Sequence, residues 1–180
     1  MSQMTMQKLK KGKTIWLMGL SGAGKSTIAQ CLIEKLRATQ QICFGLDGDQ
    51  LRAGLNRNLG FSEQDRSENL RRAAELCKLL NHDGITVVAA FITPLEKDRA
   101  LLKSIIGAED FFEIHIATPL EVCEQRDVKG LYQKARLGLI ENFTGITASY
   151  EVPQSPFLTI NTVGLDVDQC AIQILNKIFI

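Results

Sequence analysis

Residues 19–26 read Gly19-Leu20-Ser21-Gly22-Ala23-Gly24-Lys25-Ser26, a match to G-x-x-x-x-G-K-S/T. The stretch follows a short apolar run, Ile15-Trp16-Leu17-Met18. It precedes Thr27-Ile28-Ala29-Gln30-Cys31-Leu32-Ile33, where apolar residues recur at helical spacing. Strand, glycine-rich loop and helix start therefore come in the order that a phosphate cradle needs. Glycines let the backbone curl so that several N–H groups point at one anion, and the helix start adds unpaired donors and a favourable dipole. In such a loop Lys25 reaches the β- and γ-phosphates, and the Ser26 hydroxyl takes a place on Mg²⁺. Gly19 to Thr27 are thus the expected contacts of a nucleoside triphosphate.

Composition narrows the classes. At 180 residues, 45% apolar and 23% charged, the chain is sized for one globular domain, 1–180, with its own core. A net charge of +1 supplies no global field for nucleic acid or an acidic membrane. The local distribution is more telling. Arg52, Arg57, Arg66, Arg71 and Arg72 fall within one 21-residue window that holds no lysine. Arginine's planar fork suits paired anion oxygens. Arg71 and Arg72 read as a solvated face, Arg52 and Arg66 as anion contacts. Five scattered cysteines, Cys31, Cys43, Cys77, Cys123 and Cys170, form no C-x-x-C pair and read as buried hydrophobes of a reducing compartment. Residues 1–12 read as a flexible arm. The six-residue apolar run after it is too short for an export signal, so a cytoplasmic location is expected.

Beyond a first strand at 14–18 and a helix to about 38, an apolar run at 42–46 ends in Asp47-Gly48-Asp49. Carboxylates at the carboxyl end of a strand lie where α/β proteins place chemistry. One is expected to face the metal or an attacking hydroxyl, the other to cap the next helix. Ser62 and Asp65 form an approximate capping box for a long helix ending at Gly84, with Leu70, Ala73, Ala74, Cys77 and Leu80 inward and Arg66 and Asn69 off that stripe. The strand at 85–92 lacks a terminal Asp, so no ordinary Walker B carboxylate exists there and the weight falls on Asp47 and Asp49.

Thr93-Pro94-Leu95-Glu96 and Thr118-Pro119-Leu120-Glu121 each read as Thr N-cap, Pro at N1 and Glu at N3. Arg126, Lys129, Lys134 and Arg136 make a basic segment, and about 126–149 reads as a lid over phosphates. A strand at 157–161 and a helix capped by Asp166 and running to about 179, with Val167, Cys170, Ala171, Ile174, Leu175 and Ile178 inward, close the chain. The βα unit repeats about five times. This order predicts an α/β fold: a parallel five-stranded sheet flanked by helices on both faces, in three layers.

The motifs resemble those of the adenylylsulfate kinase family across about residues 13–162. They are GLSGAGKS (19–26), LDGD (46–49) with Arg52, GLNRNLGFSEQDRSENLRR (54–72), TPLEVCEQRDVKGLYQKAR (118–136) and FTGI (143–146). The resemblance implies transfer of the ATP γ-phosphoryl to the 3′-hydroxyl of adenosine 5′-phosphosulfate (APS), giving 3′-phosphoadenosine 5′-phosphosulfate (PAPS). Phe61 and Phe143 would sandwich the APS adenine, and Arg52, Arg66 and Asn69 would hold the phosphosulfate. Ile92, Thr93 and Leu131 join these contacts, with Lys129 closing over the anions and Arg126 lying against the ATP adenine. By the same resemblance Lys25, Asp47 and Asp49 would carry catalysis, Asp49 as the base, and Ser26 and Asp47 would hold Mg²⁺. A homodimer and a functional link to a sulfurylase are further implications.

The chain departs from the family pattern at Gln50, at Ser149 and at Thr93. At the last of these some relatives carry a serine assigned as a phosphorylated intermediate. Here direct transfer is expected, with Thr93 as cap and substrate contact. Three other readings fit a phosphate loop. For another kinase on the same fold, acting on a nucleoside monophosphate or a small hydroxylated acid, the Phe61–Phe143 pair favours an adenine-bearing acceptor over a small acid. A GTP-binding switch needs an N-K-x-D stretch, whereas Asn176-Lys177 is followed by Ile178-Phe179. A silent scaffold has no use for the retained Lys25, Ser26, Asp47 and Asp49.

Overall fold

The computed structural model describes residues 11–179. The expected arm lies outside the described residues except at its end. There Lys11 pairs with Asp110, and the Gly12 N–H donates to the Asn81 carbonyl at 2.8 Å, so residues 11–12 belong to the body.

Five strands form one parallel sheet in the order β2-β3-β1-β4-β5: β1 Thr14–Met18, β2 Cys43–Asp47, β3 Thr86–Ala90, β4 Phe111–Ile116 and β5 Leu158–Ile160. The helices are α1 Lys25–Ala38, α2 Gly48–Ala53, α3 Glu63–His82, α4 Glu96–Ile106, α5 Leu120–Arg126, α6 Leu131–Arg136 and α7 Val167–Phe179. β1 is the central strand and all five of its residues are buried, so its run alternates between two cores. Ile15 and Leu17 pack with Ile28, Leu32, Ile174 and other residues of α1 and α7. Trp16 and Met18 face the other way, toward Ala73, Cys77 and Leu102 of α3 and α4. Helices thus cover both faces, as the βα order predicts. Each fully buried aliphatic side chain in these layers contributes roughly 1.5–3 kcal/mol, which makes burial the main force holding α1 and α3 on opposite faces of one strand.

Local capping behaves unevenly. The Ser62 hydroxyl accepts from the Asp65 N–H at 3.1 Å, Asp166 and Gln169 cap each other reciprocally at the start of α7, and Gly84 follows α3 at φ 79°. The two Thr-Pro starts are corrected. α4 has Leu95 at its N-cap and α5 has Pro119, and neither threonine caps its helix. Both hydroxyls have distant partners instead. The Glu96 N–H at the start of α4 is taken by the carboxylate of Glu151, 55 residues away, at 2.6 Å. All five cysteines are free. Cys77, Cys123 and Cys170 are buried as expected, while Cys31 and Cys43 are half-buried. Val167, expected inward on α7, is exposed. No helix among the described residues is long and apolar enough to cross a membrane.

Candidate active site

Because β1 is central, the loop leaving its carboxyl end opens at the middle of the sheet edge. Gly19, Gly22 and Gly24 have φ of 148°, 73° and 101°, a backbone path that L side chains rarely follow. A Cβ at Gly19 would lie 2.5 Å from the Ile116 carbonyl oxygen. Gly24 is the N-cap of α1, whose first turn holds no acidic residue, so its unpaired N–H groups and positive dipole end are free for an anion. Three consecutive loop carbonyls are held by donors from elsewhere. The Tyr132 hydroxyl donates to Ser21 at 2.9 Å, Arg126 Nη1 to Gly22 at 3.4 Å and the Thr118 hydroxyl to Ala23 at 2.8 Å. Occupying the carbonyls in this way keeps them from competing with the N–H groups for the loop's interior.

Lys25 Nζ donates to the Leu20 carbonyl at 2.7 Å. Desolvation lowers its pKa to about 8, against the raising influence of charges at Cys123, Asp47 and Asp49. The Ser26 hydroxyl donates to Asp47 Oδ2 at 2.8 Å. Asp47 Oδ1 meanwhile accepts from the backbone N–H groups of Asp49 and Gln50, at 2.9 and 3.4 Å, and caps α2. The expected division of labour is therefore corrected: Asp47 performs the capping and faces the loop serine too. Asp49, on the first turn of α2, is exposed and paired with Lys129, a hydrogen bond that raises the lysine's pKa.

Beyond α2 lies a second cluster. The Arg52 guanidinium sits over the Phe61 ring, 4.7 Å from its centroid, and Arg66 lies 5.9 Å from the same centroid. Phe61 itself is 63% exposed. Arg66 is held by three bonds: Nε to the Phe61 carbonyl, Nη1 to the Thr144 hydroxyl and Nη2 to the Asn142 carbonyl, at 2.9, 2.9 and 2.7 Å. Desolvation lowers the pKa of both arginines, and for Arg66 the Arg52 charge adds to it. A cavity of about 630 Å³ opens here, with Phe61, Arg66, Pro94, Leu95, Asn142 and Thr144 in its lining.

Several expected residues sit differently. Phe143 is buried and packs edge-on against Tyr132, with centroids 5.0 Å apart, so only Phe61 of the anticipated pair presents an open ring. Asn69 is buried within the helix stripe, not off it, and accepts from the Asn56 amide at 2.8 Å. Arg126 is engaged with the loop carbonyl of Gly22. The basic segment is docked rather than loose: Tyr132 is 1% exposed, and Arg136 pairs with Glu124. Leu131 is half-buried at the start of α6, and Thr27 is exposed on α1. Arg71 and Arg72 pair with Glu68, as a solvated face would.

Thr93 departs most from expectation. It is 1% exposed, has φ 47°, unusual for a β-branched residue, and its hydroxyl accepts from Trp16 Nε1 at 2.9 Å. Arg99, itself buried, donates to its carbonyl at 3.2 Å. Next to it the Ile92 carbonyl accepts from the Gly19 N–H at 3.3 Å, tying the end of β3 to the start of the phosphate loop. The hydroxyl neither caps α4 nor stands open to a substrate.

Sequence reasoning missed Tyr132 and Thr118 as supports of the phosphate loop. The first carries no signal beyond its place in the basic segment, and the second has the sequence pattern of a local cap.

With this geometry in place, comparison with known proteins decides the family. The sequence profile described as adenylylsulphate kinase matches residues 11–161. The chain belongs to the adenylylsulphate kinase family. It is 51% identical over 164 residues to the adenylyl-sulfate kinase of Bacteroides thetaiotaomicron, covering 91% of this chain and 82% of that one. It is also 51% identical, over 169 residues, to the adenylyl-sulfate kinase of Pseudomonas aeruginosa, covering 94% and 86%. Among solved structures it resembles the Mycobacterium tuberculosis APS kinase in complex with AMPPNP and APS. That match has a TM-score of 0.90 and 44% identity, over 93% of this chain and 97% of that one. The adenylylsulphate kinase fold thus accounts for the whole sheet and both helical layers.

Proposed function

We propose that this chain transfers the γ-phosphoryl group of ATP to the ribose 3′-hydroxyl of APS by direct in-line displacement. The observation that carries the reading is the pairing of the phosphate loop with an open arginine–phenylalanine cluster, Arg52–Phe61–Arg66, across the Asp47-Gly48-Asp49 turn. The loop N–H groups and Lys25 bind the β- and γ-phosphates. The Phe61 ring offers stacking area to adenine, and Arg52 and Arg66 offer charge-assisted hydrogen bonds to the phosphosulfate. Asp49 accepts the 3′-hydroxyl proton as that oxygen bonds to the γ-phosphorus. The bond from the γ-phosphorus to the β–γ bridging oxygen breaks, and ADP leaves.

The Ser26 hydroxyl and Asp47 carboxylate, 2.8 Å apart, are hard oxygen donors of the kind that bind Mg²⁺ beside phosphates. A Mg²⁺ held by Ser26 and Asp47 would supply positive charge to offset that of the transferring phosphoryl group. Lys129, now on Asp49, is placed to move onto the anions of the acceptor as the 126–149 segment settles over them. The family resemblance adds a homodimer acting in sulfate activation, with 1–180 as one catalytic unit. Light scattering reads the oligomeric state directly.

Incubation with Mg-ATP and separate acceptors, APS, AMP and shikimate, tests the reading by ADP release. Turnover is expected with APS. Turnover with AMP or shikimate and none with APS overturns it.

A further inference from the structure

The turn at 142–149 forms one wall of the acceptor cavity, with Asn142, Thr144, Thr147, Ala148 and Ser149 in its lining. It is bonded within itself. The Phe143 N–H donates to the Thr147 hydroxyl at 2.9 Å, the Ala148 N–H to the Phe143 carbonyl at 3.0 Å and the Gly145 N–H to the Ala148 carbonyl at 2.8 Å. Such a turn behaves as one body, and its attachments set where it stands. At its start Arg66 holds the Asn142 carbonyl and the Thr144 hydroxyl. Just past its end the chain is tied to the connection between β3 and α4. The Glu151 N–H donates to the Pro94 carbonyl at 2.9 Å, and the Glu151 carboxylate accepts from the Glu96 N–H at 2.6 Å. α4 has use for that carboxylate, because its N-cap is Leu95, which carries no side-chain acceptor. The charge also sits at the positive end of the helix dipole, where it is favoured. Beside it the Tyr150 ring stacks on His115 of β4, centroids 6.2 Å apart.

We propose that Glu151 is a positioning residue for acceptor binding: seated on the N-terminus of α4, its carboxylate holds the 142–149 turn in place as a wall of the acceptor cavity. The inference rests on the assignment of this cavity to the acceptor given above. Arg66 grips the turn at one end only, and a rigid body held at one end can pivot. The carboxylate at the other end removes that freedom. Ordering the wall before the acceptor arrives lowers the entropic cost of binding it. The phosphate loop is held by different donors, Thr118, Arg126 and Tyr132, so binding of ATP does not draw on the Glu151 bond.

Steady-state kinetics with APS and Mg-ATP varied separately test this in the unaltered chain, Glu151→Ala, Glu151→Gln and Glu151→Asp, with a melting curve for each. A hydrogen bond to an ionised acceptor corresponds to about tenfold or more in an equilibrium, and Glu151→Ala is expected to raise the KM for APS by about that factor. Its kcat and its KM for ATP are expected to stay within about twofold, the pattern of lost acceptor binding. A role confined to the stability of α4 would lower the melting temperature and leave the KM of the folded molecules unchanged. Glu151→Gln keeps an oxygen at the same reach and is expected to recover most of the loss. Glu151→Asp keeps the charge but falls one methylene short. It is expected to raise the KM for APS severalfold, and it carries the test if the alanine variant does not fold. A KM for APS unchanged in the folded alanine or aspartate variant, or a KM raised equally for ATP, overturns the positioning role while leaving the kinase assignment standing. Failure of the unaltered chain to turn over APS overturns both.

Discussion

The Ser26 hydroxyl lies 2.8 Å from Asp47 Oδ2, so the phosphate loop finds its acidic partner at the end of β2 and not at the end of β3. β3 leads into Phe91-Ile92-Thr93, which has no carboxylate to offer. Asp47 also caps α2 through its other oxygen, and one side chain thereby fixes the turn between β2 and α2 and orients Asp49 behind it.

Asp47→Asn separates the two tasks. Asn caps helices about as well as Asp, so the melting temperature is expected to move little. Turnover is expected to fall on the order of 10²-fold or more, the scale of removing one group that stabilises transferring charge. The concentration of Mg²⁺ needed for half-maximal rate is expected to rise. A magnesium titration of the variant checks both.

Lys25 gives a pH signature. Desolvation holds its folded-state pKa at about 8, below the ordinary 10.5, so the unfolded chain binds more protons between these values. The cost of holding the ammonium in the loop is thus fully present below about pH 8, and this group's contribution to stability rises from about pH 8 to 10.5. A phosphate chain in the loop favours the ammonium and raises its pKa again. ADP binding near pH 8.5 is therefore expected to take up protons, with less uptake at pH 7. Calorimetry in two buffers of different ionisation enthalpy measures this. Equal uptake at the two pH values would show that Lys25 titrates elsewhere.

Thr93 is expected to support the turn without accepting phosphoryl. Thr93→Ser keeps an acceptor for Trp16 Nε1 and is expected to retain turnover within a few-fold. Thr93→Ala strands a buried indole N–H and is expected to cost about 1–3 kcal/mol in denaturant unfolding. Turnover per folded molecule should nevertheless persist. Loss of turnover in Thr93→Ala at full folding, with both substrate affinities intact, would make the hydroxyl part of the chemistry.

Phe61→Ala removes the one exposed ring of the proposed acceptor cluster. Stacking of a base on an aromatic ring is worth about 1–3 kcal/mol, so the KM for APS is expected to rise roughly tenfold or more while that for ATP stays within about twofold. Equal losses for both substrates would misplace the acceptor site.

What could be read from sequence was what local order determines. The phosphate loop, the strand before it and the helix after it follow from spacing alone, as do the caps at Ser62 and Asp166, whose partners lie three residues away. The cap assignments at Thr93 and Thr118 fail for one physical reason. Their hydroxyls satisfy buried partners 77 and 95 residues distant, the Trp16 indole and the Ala23 carbonyl, which a deeply buried donor or acceptor requires and no local pattern reveals. Asn69 departs from its sequence pattern for the same reason, because Asn56, in the preceding loop, donates to it in the interior. In the candidate site, residue types were legible from the motifs. Their present partners were not: Lys129 on Asp49, Arg126 on Gly22, and Phe143 against Tyr132.

The central claim is tested most directly by a single-turnover reaction of the chain with γ-³²P-labelled Mg-ATP and APS. Label is expected on the 3′-oxygen of PAPS, equal in amount to the ADP formed, with none on the protein at any time point. Label appearing first on the protein, or released as free phosphate with APS unchanged, would contradict direct transfer between two bound nucleotides.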